Sequence, residues 1–225
     1  MELYDVMRTT FAARDFMDAP VDDATIATIL DNARFAPSGG NRQGWRVLVV
    51  RSQETKDALV PLIKPTVQRY AAQVGAGEAP WNTIHPTALS QAQIEAATVP
   101  PVLLETIPKA PVVLIVLVDL SVVASFDSGL DRVGVISGAS VYPFVWNILL
   151  AARNEGLGGT LTTFAAAQEA KLQALLGVPS HMAFAAMLPL GYPVKQLTKL
   201  RRKPVAEFAM LERWDGDVLS VEQDR

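Results

Sequence analysis

Three apolar segments constrain the fold of this chain more than any other feature. Residues 45–50, 110–120 and 182–193 are rich in aliphatic side chains and carry almost no charge, which predicts buried β-strands. The segments between them show helical periodicity. Strands that alternate with helices suit a parallel α/β sheet, whereas the helices before the first strand suit an α+β sandwich equally well.

Helices are predicted from the spacing of apolar residues and from signals at their ends. Ser52 is a plausible N-cap, as is Asp22 or Asp23, and Gly177 stands where a helix ends. The predicted helices cover 2–12, 21–36, 52–63, 135–153 and 165–177. The predicted helix 135–153 has no polar face, which indicates burial in the core or against a partner chain. Pro143 is expected to kink this helix locally.

Two segments depart from this regular pattern. The whole chain, 1–225, is predicted to form one domain. Residues 64–108 are rich in Pro and Gly, and they are predicted to form an irregular excursion from it that contains a short helix near 90–98. This excursion is either a lid over a binding site or an exposed insertion. The tail 195–225 begins with the basic run "KQLTKLRRKP", which alone is typical of a solvated surface.

Composition excludes several classes of function. The chain has 225 residues, of which 50% are hydrophobic, and this suits one globular domain. The lack of cysteine excludes disulfides, iron–sulfur clusters and a thiol nucleophile, and two histidines make a histidine-rich metal site implausible. A net charge of -3 gives no excess of positive charge of the kind that binds nucleic acid. No signal peptide and no membrane span are expected, so we predict a soluble cytoplasmic protein.

The sequence lacks the common phosphate-loop and nucleophile motifs, namely GxGxxG after a strand, GxxxxGK[ST] and GxSxG. A dispersed set of arginines, amides and glycines remains: Arg14, Ser38, Asn41, Gln43, Gly156, Gly158, Gly159, Arg201, Arg202 and Lys203. Arginine offers phosphate a planar fork, and side-chain amides offer a donor and an acceptor to the edge of a flat ring. Each residue alone also has an ordinary explanation as a surface charge, turn former or helix stop.

Four stretches, in order along the chain, resemble the nitroreductase family of flavin enzymes. The most specific is "APSGGNRQGW" at 36–45, where the family has "APSGGNRQPW". The others are "TTFAARDF" at 9–16, "WNILLAARNEGLGG" at 146–159 and "LGYPVKQLTKLRRKPVAEF" at 190–208. The resemblance extends over nearly the whole chain except 64–108.

The resemblance implies an α+β fold, with a mixed sheet flanked by helices, in an interlocked homodimer that binds one FMN at each active site. The tail 195–225 and the helix 135–153 are then expected to contact the partner subunit. The implied cofactor-binding residues are Thr10, Phe11, Ala12, Arg14, Ser38, Asn41, Gln43, Gly158, Gly159, Leu161, Thr162, Arg201 and Arg202. No side chain is assigned a catalytic role and no metal is expected, because the chemistry belongs to the flavin. Tyr70, Trp81 and His85 are candidates for covering its open face.

The resemblance also implies an activity. Hydride from NADH or NADPH passes to flavin N5, and an electron-poor acceptor such as a nitroaromatic or a quinone is then reduced in a ping-pong cycle. The turn 158–162 is expected to place backbone N–H groups near N5. The alternatives are flavin cleavage, dehalogenation or azoline oxidation on the same scaffold, and a flavin-binding protein without turnover.

The chain departs from the family pattern at two places. Thr10, Phe11 and Ala12 stand where the family has two arginines and a serine, so one phosphate-binding arginine is missing, and Arg8 is the nearest substitute. Gly44 stands where the family has proline. Because proline restricts the unfolded chain, Gly44→Pro is predicted to raise stability if the local backbone suits it.

Overall fold

The computed structural model describes residues 1–219 and has a four-stranded sheet at its centre. The strands are β1 (Trp45–Val50), β2 (Val112–Asp119), β3 (Gly158–Gly159) and β4 (Met182–Gly191), in the order β1-β2-β4-β3. Each neighbouring pair is antiparallel, and a parallel bridge joins Ala12 to Gly159 beside β3. The α+β fold with a mixed sheet is therefore confirmed, and the parallel α/β alternative is wrong.

Helices cover both faces of this sheet. Within residues 1–219 the α-helices are α1 (Leu3–Thr9), α2 (Asp23–Ala33), α3 (Gln53–Gly75), α4 (Gln91–Glu95), α5 (Val102–Lys109), α6 (Tyr142–Asn154) and α7 (Glu169–Leu176). Asp22 and Ser52 cap α2 and α3 as the sequence indicates, because each side chain accepts a bond from an N–H in the first turn. In this part of the chain no helix is both long and apolar enough to cross a bilayer.

The predicted irregular excursion over 64–108 is largely helical, so that part of the prediction is wrong. Helix α3 runs on to Gly75 and accommodates two prolines, Pro61 and Pro65. Each proline removes one backbone donor, but the buried face of α3 continues past both of them to Gln73. Helices α4 and α5 lie in the rest of the segment, and the stretch between α3 and α4 is irregular.

The apolar helix predicted over 135–153 is divided by the structure. A 3₁₀ turn occupies Ile136–Ser140, and α6 begins only at Tyr142. Pro143 lies in the first turn of α6, where a missing N–H breaks no intrahelical bond, so the predicted kink is wrong.

The core lies on both faces of the sheet, which explains why the central strand is apolar at every inward position. Successive residues of β2 point to opposite faces. Leu114 packs with Ile148 in the layer of α2 and α6, while Ile115 packs with Leu59 and Ile107 in the layer of α3 and α5. Residues 112–118 of β2 are all apolar because both faces of this strand are buried there.

The sheet register places the loop before β1 and the turn at β3, both predicted to bind the cofactor, at opposite ends of the sheet. Trp45, at the start of β1, pairs with Val118 near the end of β2. Gly159 pairs with Leu190, which pairs in turn with Val112 at the start of β2. At about 3.4 Å per residue, β2 spans about 20 Å between these points, and β1 and β3 lie at opposite edges. The loop before β1 and the turn at β3 are therefore more than about 20 Å apart within one chain.

The packing around Gly44 contradicts the expectation that proline would stabilise this position. A Cβ atom at Gly44 would lie 2.6 Å from Cγ2 of Val122, a short side chain with little freedom to move. Gly44 is also buried, and its carbonyl accepts a bond from the Asp119 N–H at 2.8 Å. Glycine is therefore required here by close packing against Val122.

We predict that Gly44→Ala and Gly44→Pro each lower the free energy of unfolding, by about 1 to 3 kcal/mol, as overpacking does. Urea unfolding measures this loss. In the double variant Gly44→Ala/Val122→Ala the clash is removed, so its stability should be no lower than that of Val122→Ala alone. An equal loss in both backgrounds would mean that Val122 is not the cause.

Candidate functional site

A cavity of about 230 Å³ lies beside β3, between the chain that follows this strand and helices α3 and α5. Its polar and aromatic lining includes Arg14, Tyr70, Thr106, Thr160, Thr162 and Phe164. Pockets that enclose a ligand of cofactor size usually exceed about 300 Å³. This cavity is therefore suited to part of such a ligand, and we call it the Arg14 cavity.

The backbone before Arg14 is fixed against β3. The Ala13 N–H donates to the Gly159 carbonyl at 3.0 Å, and Ala12 forms the parallel bridge with Gly159. The Arg14 carbonyl accepts a bond from the Thr106 hydroxyl at 3.3 Å. The guanidinium itself donates only to the Ala12 carbonyl, at 3.3 Å, and takes part in none of the ion pairs within residues 1–219. A cation held by its backbone, without a carboxylate partner, is available to an anionic ligand.

The turn after β3 keeps some of its backbone donors free. Thr162 exchanges two bonds with Met187, at 3.0 and 2.9 Å, so its N–H is committed to the sheet. The Leu161 N–H has no acceptor among residues 1–219. Leu161 and the buried Thr160 both line the Arg14 cavity. Within the predicted turn 158–162, residues 160–162, which follow β3, therefore face the cavity.

The two predicted glycines of this turn are required by packing. A Cβ at Gly158 would lie 2.8 Å from Cβ of Ala13, and one at Gly159 would lie 2.7 Å from the Pro189 carbonyl oxygen. Both neighbours are backbone or one bond from it, so they cannot move aside. These glycines bring the chain around Ala13 close to β4 and so position Arg14 over the cavity.

Thr10, Phe11 and Ala12 are also predicted to bind the cofactor. They lie close to Arg14 but make their contacts within the fold. Thr10 is buried, and its hydroxyl donates to the Val6 carbonyl at 2.7 Å. Phe11 is half-buried and Ala12 is exposed. Arg8, the possible substitute for the missing arginine, is exposed in the last turn of α1, with its guanidinium 5.9 Å from the Tyr4 ring centre.

Ser38, Asn41 and Gln43 lie in the loop before β1, which we call the amide loop (38–43). Asn41 and Gln43 have φ angles of 53° and 50°, in the left-handed region that side chains rarely adopt. The Gln43 amide nitrogen donates to the Asn41 side-chain oxygen at 3.0 Å. The Ser38 hydroxyl accepts from the Gln43 N–H at 3.0 Å and so shapes the turn. This leaves the Asn41 amide donor and the Gln43 amide acceptor exposed side by side.

The amide loop is fixed to the opposite end of the sheet from the Arg14 cavity. The Gly39 N–H donates to the Ser140 hydroxyl at 3.1 Å, and Gly44 packs against Val122. None of the residues of the loop lines the Arg14 cavity. Within one chain, therefore, the structure does not bring Asn41 and Gln43 together with Arg14.

Arg201 and Arg202 lie in the tail and are exposed. Arg202 donates to the Arg201 carbonyl at 2.7 Å and neither residue lines the Arg14 cavity. The tail starts near that cavity, however, because the Gln196 amide donates to the Thr9 carbonyl at 3.0 Å. The part of the tail over 220–225 lies outside the described residues.

Sequence reasoning missed Asp127, which organises the loop between β2 and α6. The side chain is buried, and one of its oxygens accepts bonds from the Val135 N–H at 2.7 Å and from Arg132 at 2.8 Å. These bonds lower the pKa of Asp127 to about 2, with the Val135 N–H contributing most. No sequence motif marks this residue, since its partners are donors that folding brings to it.

We predict that Asp127 makes stability depend on pH in the acid range. Its pKa is about 2 in the folded chain against an ordinary 3.8, so its stabilisation is complete above pH 4 and is lost as the pH falls towards 2. Urea unfolding of the wild type and of Asp127→Asn should therefore differ more at pH 6 than at pH 3. Asp131→Asn, an exposed change in the same loop, is the control. A difference that does not change with pH would contradict this role.

Among residues 1–219, no group of three or more His, Asp or Glu side chains is placed to hold a metal ion. The titratable groups are dispersed, and the polar lining of the Arg14 cavity consists of hydroxyls, a guanidinium and backbone donors.

Comparison with known proteins agrees with this fold. The sequence pattern of the Nitroreductase family matches residues 7–192. An iodotyrosine deiodinase from Nematostella vectensis is 26% identical over 214 residues, which is 94% of this chain and 75% of that protein. An NADH dehydrogenase from Thermus thermophilus is 26% identical over 224 residues, with 88% and 89% of the two chains covered. A crystal structure of oxidised iodotyrosine deiodinase bound to FMN and 3-iodo-L-tyrosine has a TM-score of 0.66 at 23% identity, covering 91% of this chain and 96% of that one.

The architecture is α+β, with helices on both faces of a mixed sheet, and the FMN-bound deiodinase structure shares this fold. The chain belongs to the nitroreductase family, because the family pattern matches most of its length. Membership does not determine the reaction, since the similar proteins include both a deiodinase and a dehydrogenase.

Proposed function

We propose that this protein is an FMN-dependent oxidoreductase that acts as a homodimer, with each flavin site built from two chains. One half of the site is the Arg14 cavity, and the other is the amide loop of the second chain. The observation that carries the proposal is their separation by more than about 20 Å within one chain. A twofold axis joins the cavity of each chain to the loop of the other, as in any isologous dimer.

Exposed apolar side chains support the dimer. Tyr4 on α1 is 69% exposed, and Tyr142 and Trp146 on α6 are 43% and 41% exposed. In the tail, Phe208 and Trp214 are 63% and 89% exposed. Large aromatic groups collected on helices and a tail are typical of a surface that another chain covers.

The residues present suit a flat, polar ring with a phosphate. Among the described residues 1–219, the Arg14 guanidinium has no carboxylate partner and the Leu161 N–H has no acceptor, so both are offered to a ligand. From the second chain, the Asn41 amide donor and the Gln43 acceptor match a ring edge of alternating carbonyl and N–H groups. The exposed Arg201 and Arg202 offer guanidinium groups that suit a phosphate.

When bound, FMN supplies hydride transfer from NADH or NADPH to an electron-poor acceptor such as a nitroaromatic or a quinone. Arg14 would hold negative charge of the bound cofactor, and the Leu161 N–H would donate a hydrogen bond to its ring. The apolar wall of the cavity, with Ile63 and Ile107, keeps water from this face. No side chain of the site needs to act as a nucleophile.

The experiment that tests the proposal is the visible spectrum of the purified protein, before and after anaerobic addition of NADH or NADPH. We expect a yellow protein with one FMN per chain that is bleached by the nucleotide and recovers its colour with a nitroaromatic or a quinone. A protein that stays colourless with added FMN would overturn the proposal. A yellow protein that neither nucleotide bleaches would instead favour flavin binding without turnover.

Reductive dehalogenation of an aromatic substrate is a second candidate. It is favoured by the deiodinase from Nematostella vectensis, which aligns with 94% of this chain. The discriminating measurement is the affinity of the flavin-loaded protein for 3-iodo-L-tyrosine. Micromolar binding followed by iodide release under reducing conditions supports this candidate, and the absence of binding excludes it.

A further inference from the structure

Lys56, in the first turn of α3, is a buried cation to which the proposed function gives no role. The residue is only 6% exposed, and it takes part in none of the ion pairs within residues 1–219. Its ammonium donates instead to two backbone carbonyls, that of Ala110 at 2.8 Å and that of Pro108 at 3.3 Å. Burial lowers the pKa of Lys56 because it disfavours the charged form, so the fold keeps this charge against an opposing free energy.

Both acceptors of Lys56 lie at the carboxyl end of α5. The last carbonyls of a helix have no partner within it, and this end carries partial negative charge, so a cation placed there is stabilising. Ala110 is the C-cap residue of α5 and is completely buried, so its carbonyl depends on Lys56 in place of solvent. The Gln53 amide also donates to the Pro108 carbonyl, at 3.2 Å. Lys56 therefore ties the first turn of α3 to the end of α5.

A chain of hydrogen bonds leads from Lys56 to Arg14. The Ala110 N–H donates to the Thr106 carbonyl at 3.1 Å, one turn back along α5. The Thr106 hydroxyl lies 3.3 Å from the Arg14 carbonyl and 2.6 Å from the Val102 carbonyl, and it donates to both. Thr106 is 4% exposed, so these bonds are shielded from water. The acceptor of Lys56 and the donor to Arg14 are therefore joined by a single turn of helix.

Helix α5 is also a wall of the Arg14 cavity. Of the residues that the sequence suggests for covering the flavin, Tyr70 lines this cavity, whereas Trp81 and His85 do not. Three residues of α5 line it: Leu103, Thr106 and Ile107. A shift of α5 would therefore change both the shape of the cavity and the support of the Arg14 backbone.

We propose that Lys56 is a positioning residue for the Arg14 cavity, because its ammonium fixes the end of α5 and thereby lets Thr106 hold Arg14 in place for an anionic cofactor. Lys56 does not line the cavity, so it acts only through α5 and Thr106. The inference rests on the proposed function, which places FMN beside Arg14. It makes the affinity for flavin depend on a buried charge outside the site.

The test compares Lys56→Met, which keeps a long apolar side chain but removes its donors, with Lys56→Arg, which keeps the charge. Two quantities are measured: the FMN affinity of the apoprotein, by fluorescence titration, and the hydrogen–deuterium exchange of residues 12–16. We expect Lys56→Met to weaken FMN binding about fivefold and to speed this exchange by a similar factor, as the loss of one hydrogen bond would. Lys56→Arg should restore most of both.

The control is Ile29→Val, a fully buried change on α2 that lowers stability on the other face of the sheet. It should leave FMN affinity and the exchange of residues 12–16 unchanged, which separates a local effect from a general loss of stability. A double variant tests the route. In the Arg14→Gln background, Lys56→Met should have little further effect on FMN affinity, because it acts through Arg14.

Unchanged exchange over residues 12–16 in Lys56→Met would overturn the inference, as would a fivefold loss of affinity that persists in the Arg14→Gln background. If Lys56→Met fails to fold, Thr106→Val decides in its place, because it breaks the same chain at its last bond, which Thr106→Ser should keep. The exchange measurement needs no cofactor, so it separates the two proposals. Faster exchange over 12–16 in a protein that binds no FMN would contradict the oxidoreductase and leave the positioning role of Lys56 standing.

Discussion

Arg14→Gln is expected to weaken FMN binding by about 10- to 100-fold while leaving the fold intact. The Arg14 guanidinium has no carboxylate partner within residues 1–219, so its loss breaks no ion pair of the folded chain. Within the described part of the chain, its side chain makes one hydrogen bond, to the Ala12 carbonyl, which is long at 3.3 Å. The proposal assigns this charge to contact with FMN, and fluorescence titration of the apoprotein with FMN measures that contact.

The control for this change is Lys171→Gln, which removes an exposed positive charge on α7 away from both half-sites. It separates a local contact from the general effect of a more negative protein on an anionic cofactor. Unchanged FMN affinity in Arg14→Gln would show that the cavity does not bind the flavin. A large fall in melting temperature of the apoprotein would instead assign Arg14 a structural role.

The double variant Asn41→Gly/Gln43→Gly should lose FMN affinity without losing stability. Both residues have positive φ, and glycine adopts this region without strain, so the backbone of the amide loop is kept. The relief of strain and the greater freedom of glycine in the unfolded chain are each about 1 kcal/mol and oppose one another. Loss of two amide contacts should weaken FMN binding by about 30-fold.

The comparison that isolates the amides is Asn41→Ala/Gln43→Ala, which removes the same groups but keeps the strained backbone. It should bind FMN as weakly as the glycine variant and be less stable than it in urea. Wild-type affinity in both variants would mean that the amides serve only the turn. Asn41 and Gln43 would then have only the usual structural role of side-chain amides in a turn.

Features determined by nearby residues could be predicted from the sequence. The apolar runs of β1, β2 and β4, the caps at Asp22 and Ser52 and the helix stop at Gly177 each depend on a few adjacent side chains. The amide loop was identified for the same reason, because its pattern lies within ten residues of chain. Its left-handed residues and the contact between its two amides could not be predicted, since they depend on the fold around Ser140 and Val122.

Features that depend on distant contacts were missed. Thr106 and Phe164 come from two separate elements, and only their packing around one cavity makes them part of a site. Asp127 acquires its low pKa from donors that the fold supplies. The Gly44 prediction was wrong because the pattern gave no information on Val122, whose side chain occupies the space that a proline ring needs.

The central claim is that each flavin site is shared between two chains, and mixing two defective variants tests it most directly. One variant is Arg14→Gln, and the other is Asn41→Gly/Gln43→Gly. In a mixed dimer of a shared site, one site carries both defects and the other carries none. Random reassociation should therefore restore about a quarter of the wild-type FMN sites, measured as tightly bound flavin per chain. If the site lay within a single chain, every site in the mixture would keep a defect, and no restoration above the two separate variants would contradict the account.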